Sequence, residues 1–353
     1  MNKALPAIAF VMLISGCGTA PEAPEPQPVL VPVFYGTDRM ATGAEDFDDA
    51  YGAERGPLSF GKADVSMPPD HQVGQIEEPS LISLEFSAEA DRHVVLQHLA
   101  ATPQPAFLAA LQQRVRETGN GSVFIFVHGY NVSFAEAMRR TAQIADDLDW
   151  RGTSVLYSWA SHAEIDGYDA DHENALAAVA DLAAFIETVA VYSGAARVHV
   201  IAHSMGSEPL LAALARHAES TSATGVPLVD EVVLAAPDVA ADEFTALVAR
   251  AKPAARHFTL YVSGRDDALA LSSLLNATSR AGDTSDGVLV LPGVDTIDAS
   301  AAAADSIGHS YYGESRAILA DMFSLLKTGM PPDQRFGLHP ADTDGKKYWI
   351  LRP

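Results

Sequence analysis

Apolar and polar positions along this chain fall into two regimes. From Ser122 onward, short and nearly continuous apolar runs alternate with longer amphipathic stretches. The runs occupy residues 123–127, 154–159, 198–202, 231–236, 258–262 and 288–291. Apolar runs without a polar alternate face mark strands buried on both sides, as in parallel sheet. Between them, residues 134–148, 174–193, 206–218 and 242–251 carry helical spacing, a further helix starts near Asp267, and a last one covers 313–326. This alternation predicts right-handed crossovers and helices on both faces of a mostly parallel sheet. Before Ser122 the pattern is strand-like at 29–35, 62–67, 81–86 and 93–99, followed by helical spacing over 105–118. Residues 327–353 show no clear pattern, and no repeat of solenoid length is visible.

The chain has 353 residues, 48% of them hydrophobic and 20% charged, enough for one large alpha/beta domain with a well-buried core. Its formal net charge is −23, from 46 acidic and 23 basic residues. Such a surface repels phosphates, which argues against nucleic-acid binding and disfavours polyanionic substrates.

The N-terminus changes the picture of where the domain works. Lys3, an apolar run over 4–14 and the small residues Ser15 and Gly16 read as a secretory signal, too short for a membrane span of about 20 residues. The single cysteine, Cys17, falls where Ile14-Ser15-Gly16-Cys17 resembles the bacterial lipobox, whose cysteine is lipidated. Gly18 after it, rather than Asp, favours by that resemblance the outer membrane, with the protein facing the periplasm. Residues 20–28 are rich in Pro and Glu and read as a tether. The expected organisation is a signal peptide (1–16), a lipidated Cys and linker (17–28), a domain (29–330) and a C-terminal tail (331–353). Membrane contact is expected through the lipid anchor alone.

The chemistry is concentrated where the run 198–202 meets His203, Ser204, Met205 and Gly206. A serine on a tight strand-to-helix turn, flanked by small residues two places away (Ala202 and Gly206), has the form of a nucleophile elbow. The small residues let the backbone pack closely. A serine hydroxyl needs a histidine to take its proton and a carboxylate to orient that histidine. The order serine, acid, histidine places the acid after the next-but-one strand, at Asp266 or Asp267, with Asp238 as a further alternative. It places the histidine in a late loop, at His309. An oxyanion needs two backbone donors, here expected from the amides of Met205 and of Tyr130 in His128-Gly129-Tyr130-Asn131. Asp169, Asp171 and Glu173 look like the start of a calcium loop. Asn174 and Ala180 stand where that loop requires Gly and Glu, so no metal site is read there, and no cofactor is required.

These stretches, with Phe34-Tyr35-Gly36-Thr37-Asp38-Arg39, Tyr157-Ser158-Trp159, Ala235-Ala236-Pro237-Asp238 and Gly308-His309-Ser310-Tyr311-Tyr312, resemble the alpha/beta hydrolases. They are similar in particular to a bacterial family of esterase- and lipase-like proteins known by a domain-of-unknown-function label. The resemblance covers about residues 31–326. It implies an alpha/beta hydrolase fold with extra N-terminal strands, carboxylic ester hydrolysis of a small-molecule or lipid ester, and Asp266 rather than Asp267 as the acid. A peptidase, amidase or lipase on the same triad, or an envelope scaffold without catalysis, are the alternatives. Only a short stretch, residues 238–257, is available for a lid, so the lid is small or the N-terminal segment roofs the site.

Overall fold

The computed structural model describes residues 27–79, 85, 87–221, 225–302 and 311–352. The signal segment, Cys17, the strand expected at 81–86 apart from Glu85, and His309 lie outside the described residues.

The described residues build an eleven-stranded sheet. Its centre is the parallel set β4 (Ser122–Val127), β5 (Thr153–Ser158), β6 (Arg197–His203), β7 (Val229–Ala235) and β8 (Ala255–Val262). Every residue of β4 and β5 is buried, as continuous apolar runs demand. On one side of β5 lie β1 (Val29–Ala41), β2 (Tyr51–Met67) and β3 (Val95–Thr102); on the other side of β8 lies β9 (Asp295–Asp298). β1 runs parallel to β5, and β2 and β3 are antiparallel additions. β4 sits between β5 and β6, so the chain moves outward to β5 and then back across to β6. That reversal opens a crevice at the carboxyl ends of β4 and β6. Val29 starts β1 at the opposite end of the sheet, because Thr37, far along β1, pairs with Ser158 at the end of β5.

Helices cover both faces. α1 (Gln104–Thr118), α4 (Val179–Tyr192), α5 (Ser207–Thr221) and α6 (Ala241–Ala251) bury Phe107, Phe185, Leu210 and Phe244 in one core layer. α2 (Phe134–Asp147) and α8 (Arg316–Thr328) bury Met138, Ile318 and Met322 in the other.

Four elements depart from the sequence pattern. β1 continues past Tyr35 through Thr37 and Arg39, whose polar side chains are buried and paired, not solvated. The helix expected over 174–193 is two, α3 (Tyr168–Ala177) and α4, bent by 51°. No single helix among the described residues is long and apolar enough to cross a membrane. Residues 288–291 are not a strand. Val288, Leu289 and Leu291 pack against the core as coil, while the sheet position is taken by β9, which carries Asp at both ends. The segment beyond 331 forms a hairpin, β10 (Leu338–Thr343) and β11 (Lys346–Leu351), and β11 extends the sheet beside β9.

Arg335 fastens that hairpin to the domain. Its Nη1 lies 3.1 Å from Asp321 Oδ2, which also accepts from Tyr261 at 2.6 Å, and both charged side chains are fully buried. Replacing Arg335 alone with Met leaves a carboxylate uncompensated and is expected to lower stability by about 3–5 kcal/mol. The Arg335→Met/Asp321→Leu double variant is expected to cost less, and urea denaturation midpoints of the two check it.

Candidate active site

β6 passes directly into Ser204, which holds φ +52° and opens a 3-10 turn, Ser204–Gly206, before α5. A left-handed serine in a strand-to-helix turn stores of order 1–3 kcal/mol of strain and persists only when its surroundings enforce it. Two glycines do so. A Cβ on Gly206 would stand 2.2 Å from the His128 carbonyl oxygen, and one on Gly129 would stand 2.8 Å from Ser204 Cβ. The loop after β4 and the elbow after β6 therefore touch backbone to backbone. Ser204 and Met205 are both buried in that contact.

In space the loop His128 to Asn131 lies against the serine through Gly129. The loop is fixed at its far end by a capping box: Ser133 Oγ accepts from Glu136 N at 3.2 Å, and Glu136 returns a carboxylate to Ser133 N at 2.7 Å. Asn131, at φ +55°, donates its N–H to Asp171 Oδ2 at 3.1 Å. Asp171 also accepts from Ser161 Oγ at 2.6 Å and from His162 N at 2.6 Å. These contacts spend its carboxylate on loop architecture. Among the described residues no group of three or more His, Cys, Asp or Glu is arranged to hold a metal ion.

The three candidate acids have different surroundings. Asp266 is 2% exposed and is the N-cap of α7 (Asp267–Asn276), its Oδ1 accepting from Leu269 N at 3.0 Å. Asp267 is exposed in the first turn of that helix. Asp238 accepts from Ser272 Oγ at 2.7 Å and Tyr168 OH at 2.9 Å, and pairs with Arg280 at 3.2 Å. Ala268, which follows Asp266-Asp267 in the chain, lines the same cleft as His203 and the β4 loop.

That cleft has a volume of about 550 Å³ and takes in Phe126, His128 to Val132, His203 and Tyr312. Tyr312, three positions after His309, stacks on the His203 ring with centroids 4.1 Å apart. Ser315 Oγ donates to the Ala302 carbonyl at 3.0 Å, which ties the described segment ending at Ala302 to the one that carries Tyr312.

The opposite wall comes from the N-terminal segment, through Gly74, Gln75, Ile76 and Glu78. This is the roof that the short stretch after β7 left open, since that stretch holds α6 and little else. His71 ties the roof down, with Nδ1 2.8 Å from Glu77 and Nε2 3.2 Å from Asp147. Gly74 N donates to the same Asp147 at 2.8 Å. Burial pulls the His71 pKa down, but the hydrogen bonds to Asp147 and Glu77 more than offset it and raise the pKa to about 9. A raised histidine pKa gives stability that is complete below about pH 6.5 and is lost as pH climbs through 9. The expected loss is on the order of 3 kcal/mol between those limits and is absent in His71→Gln, as thermal melts at several pH values will read.

Arg39, Ser158 and Tyr312 enter the site without having been singled out by spacing. Their signal was the motif text around them, Gly36-Thr37-Asp38-Arg39, Tyr157-Ser158-Trp159 and Gly308 to Tyr312.

Residues 104–327 match the model of a family described as alpha/beta hydrolase of unknown function (DUF900). Among solved structures, a lipase-esterase related protein from Clostridium acetobutylicum is similar at 10% identity, covering 60% of this chain and 96% of its own, with TM-score 0.34. An esterase from Pyrobaculum calidifontis is similar at 12% identity, over 64% and 92%, with TM-score 0.34. The esterase Pf2001 of Pyrococcus furiosus is similar at 17% identity, over 55% and 76%, with TM-score 0.30. No curated protein matches by sequence.

Proposed function

Because the chain belongs to this alpha/beta hydrolase family of unknown function, we propose that it is a serine hydrolase that cleaves carboxylic esters through an acyl-enzyme. The observation that carries this reading is the left-handed Ser204 at the end of β6, pressed against the His128-Gly129 backbone. A binding scaffold has no use for that strain.

In the proposed cycle His309 takes the Ser204 proton as the hydroxyl oxygen attacks the ester carbonyl carbon. The negative oxygen of the tetrahedral intermediate is held by the amides of Met205 and Tyr130. Collapse expels the alcohol, which receives the proton from His309. Water, deprotonated by His309, then attacks the acyl-enzyme, and the acid leaves as Ser204 regains its proton. Asp266 orients the imidazole. Its burial favours it over exposed Asp267, and Asp238 has its oxygens committed to Ser272, Tyr168 and Arg280. Secretion through residues 1–16, lipidation at Cys17 and an outer-membrane address facing the periplasm complete the reading.

The test is a panel of p-nitrophenyl esters of increasing chain length set against aminoacyl anilides, with labelling by a fluorophosphonate. Ester turnover and labelling support the reading; a folded sample that is neither labelled nor active defeats it. Anilide turnover exceeding ester turnover reassigns it to a peptidase. The acid is tested separately. Asn caps a helix as well as Asp does, so Asp266→Asn keeps the bond to Leu269 while removing the charge. Its kcat is expected to fall about 10³–10⁴-fold. Asp267→Asn is expected to stay within about twofold of wild type, since its carboxylate faces solvent.

A further inference from the structure

We propose that Arg39 is a positioning residue for the oxyanion hole, acting through Ser158 and His128 on the peptide that joins Gly129 to Tyr130. The inference rests on the reading of Tyr130 N–H as an oxyanion donor.

Arg39 is 2% exposed near the end of β1. Its guanidinium donates to neutral acceptors: Ser158 Oγ at 2.9 Å, the Ser161 carbonyl at 2.8 Å, the Gly52 carbonyl at 3.1 Å and the Val132 carbonyl at 2.6 Å. The neighbouring Asp38 turns its carboxylate to Arg55 instead, at 2.9 Å. A buried cation satisfied by carbonyls and a hydroxyl is a poor device for stability, and an apolar side chain would fill the space at lower cost. Its geometry points to another use, because it grips the loops after β4 and after β5 at once.

The proton inventory along the relay has one solution. Arginine only donates and a carbonyl only accepts, so Ser158 Oγ accepts from Arg39 while His128 Nδ1 must carry the hydrogen that meets the Gly129 carbonyl, which leaves Ser158 to donate its own proton to Nε2, 3.1 Å away. Nε2 is then the bare nitrogen, and Nδ1 carries the hydrogen that it donates to the Gly129 carbonyl at 2.8 Å. Burial and the nearby Arg39 lower the His128 pKa to about 3, so the ring stays neutral and keeps this tautomer across the working range. The ring is also fixed in its plane: it stacks on Trp159 at 4.9 Å, and Trp159 Nε1 donates to the His128 carbonyl at 2.8 Å.

A trans peptide sets its C=O and N–H on opposite sides. Pinning the Gly129 carbonyl toward His128 therefore turns the Tyr130 N–H the other way. That N–H has no acceptor among the described residues. The next amide, Asn131 N–H, is taken by Asp171, and the Val132 carbonyl by Arg39 itself. The relay thus holds one peptide plane in a loop that glycine would otherwise leave free to flip.

Ser158→Ala tests this with the rest of the Arg39 contacts in place. Expected with p-nitrophenyl butyrate is a 10–100-fold fall in kcat at unchanged KM. The inhibition constant of a trifluoromethyl ketone, whose adduct oxygen occupies the hole, should rise by the same factor. Ser158→Thr, which keeps the hydroxyl, should recover both. Unchanged kcat and ketone binding in Ser158→Ala overturn the proposal, as does an equal loss in the alanine and threonine variants or a change confined to KM. A wild-type protein that neither turns over the ester nor binds the ketone overturns the parent reading and this one together. Arg39→Lys keeps the charge but not the fork, and should reproduce the Ser158→Ala pattern.

Discussion

Ser204→Ala is expected to remove ester hydrolysis almost entirely, with kcat on p-nitrophenyl butyrate falling about 10⁴–10⁶-fold and fluorophosphonate labelling lost. The size follows from the proposed role. On that mechanism no acyl-enzyme forms without Oγ, and what remains is the pull of the proposed oxyanion amides on a carbonyl attacked directly by water. The fold should persist, because the left-handed backbone at this position is enforced from outside by Gly129 and the His128 carbonyl, and an alanine there has one atom fewer to accommodate. Melting temperature and circular dichroism of the variant are the necessary companions. A variant that melts like wild type and still turns over ester at more than about 1% of the wild-type rate would remove Ser204 from the chemistry.

Gly206→Ala is the second large effect, and it works through the backbone. The added carbon would meet the His128 carbonyl oxygen at 2.2 Å and the Val127 carbonyl oxygen at 3.1 Å. Neither is the far end of a flexible side chain. Val127 ends β4 and is paired on both sides, and the carbonyl of His128 just beyond it is held by Trp159 Nε1 at 2.8 Å. The contact can be relieved only by pushing the elbow away from the β4 loop. That separates the proposed nucleophile from the amide proposed to stabilise its intermediate. A stability loss of about 1–3 kcal/mol is expected. A fall in kcat of about 10²-fold should accompany it, because a displacement near 1 Å is enough at a reacting centre. Gly194→Ala is the matched control. It sits at φ +75° with nothing within 4 Å of the added carbon, so it should cost about 1 kcal/mol and leave kcat alone. Denaturation midpoints and initial rates on the two variants separate crowding at the site from strain in general.

The parallel half of this fold was legible because its strands are buried on both faces and so carry unbroken apolar runs, as residues 123–127 and 198–202 show. The antiparallel half was harder. Thr37, Asp38 and Arg39 read as the end of a strand because they are polar, yet each is buried and spends its polar atoms on β5, Arg55 and two loops. Residues 288–291 read as a strand because they are apolar, yet burial alone is satisfied by coil packed on the core. β9, with two Asp in its short span, carried no such signal. The hairpin of β10 and β11 carries one local signal: Asp344 and Gly345, both at positive φ, form the two-residue turn that such a pair favours. At the site, Ser204 and the His128-Gly129 loop were readable from local spacing. The link from Arg39 through Ser158 to His128 was not, since its members are far apart in the chain and meet only across β1, β5 and β4.

The starting point of β1 has a geometric consequence for access. Val29 enters at the end of the sheet remote from Ser204, so whatever is joined ahead of it leaves from the far pole of the molecule. A body of this size is about 50 Å across. Residues 17–28 span at most about 40 Å even fully stretched, too little to wrap halfway round it. An acyl group on Cys17 would thus plant the protein upright, with its mouth turned outward from the bilayer that holds it. Esters dissolved in the surrounding space, or displayed on a facing surface, would reach Ser204, and the phospholipids underfoot would not.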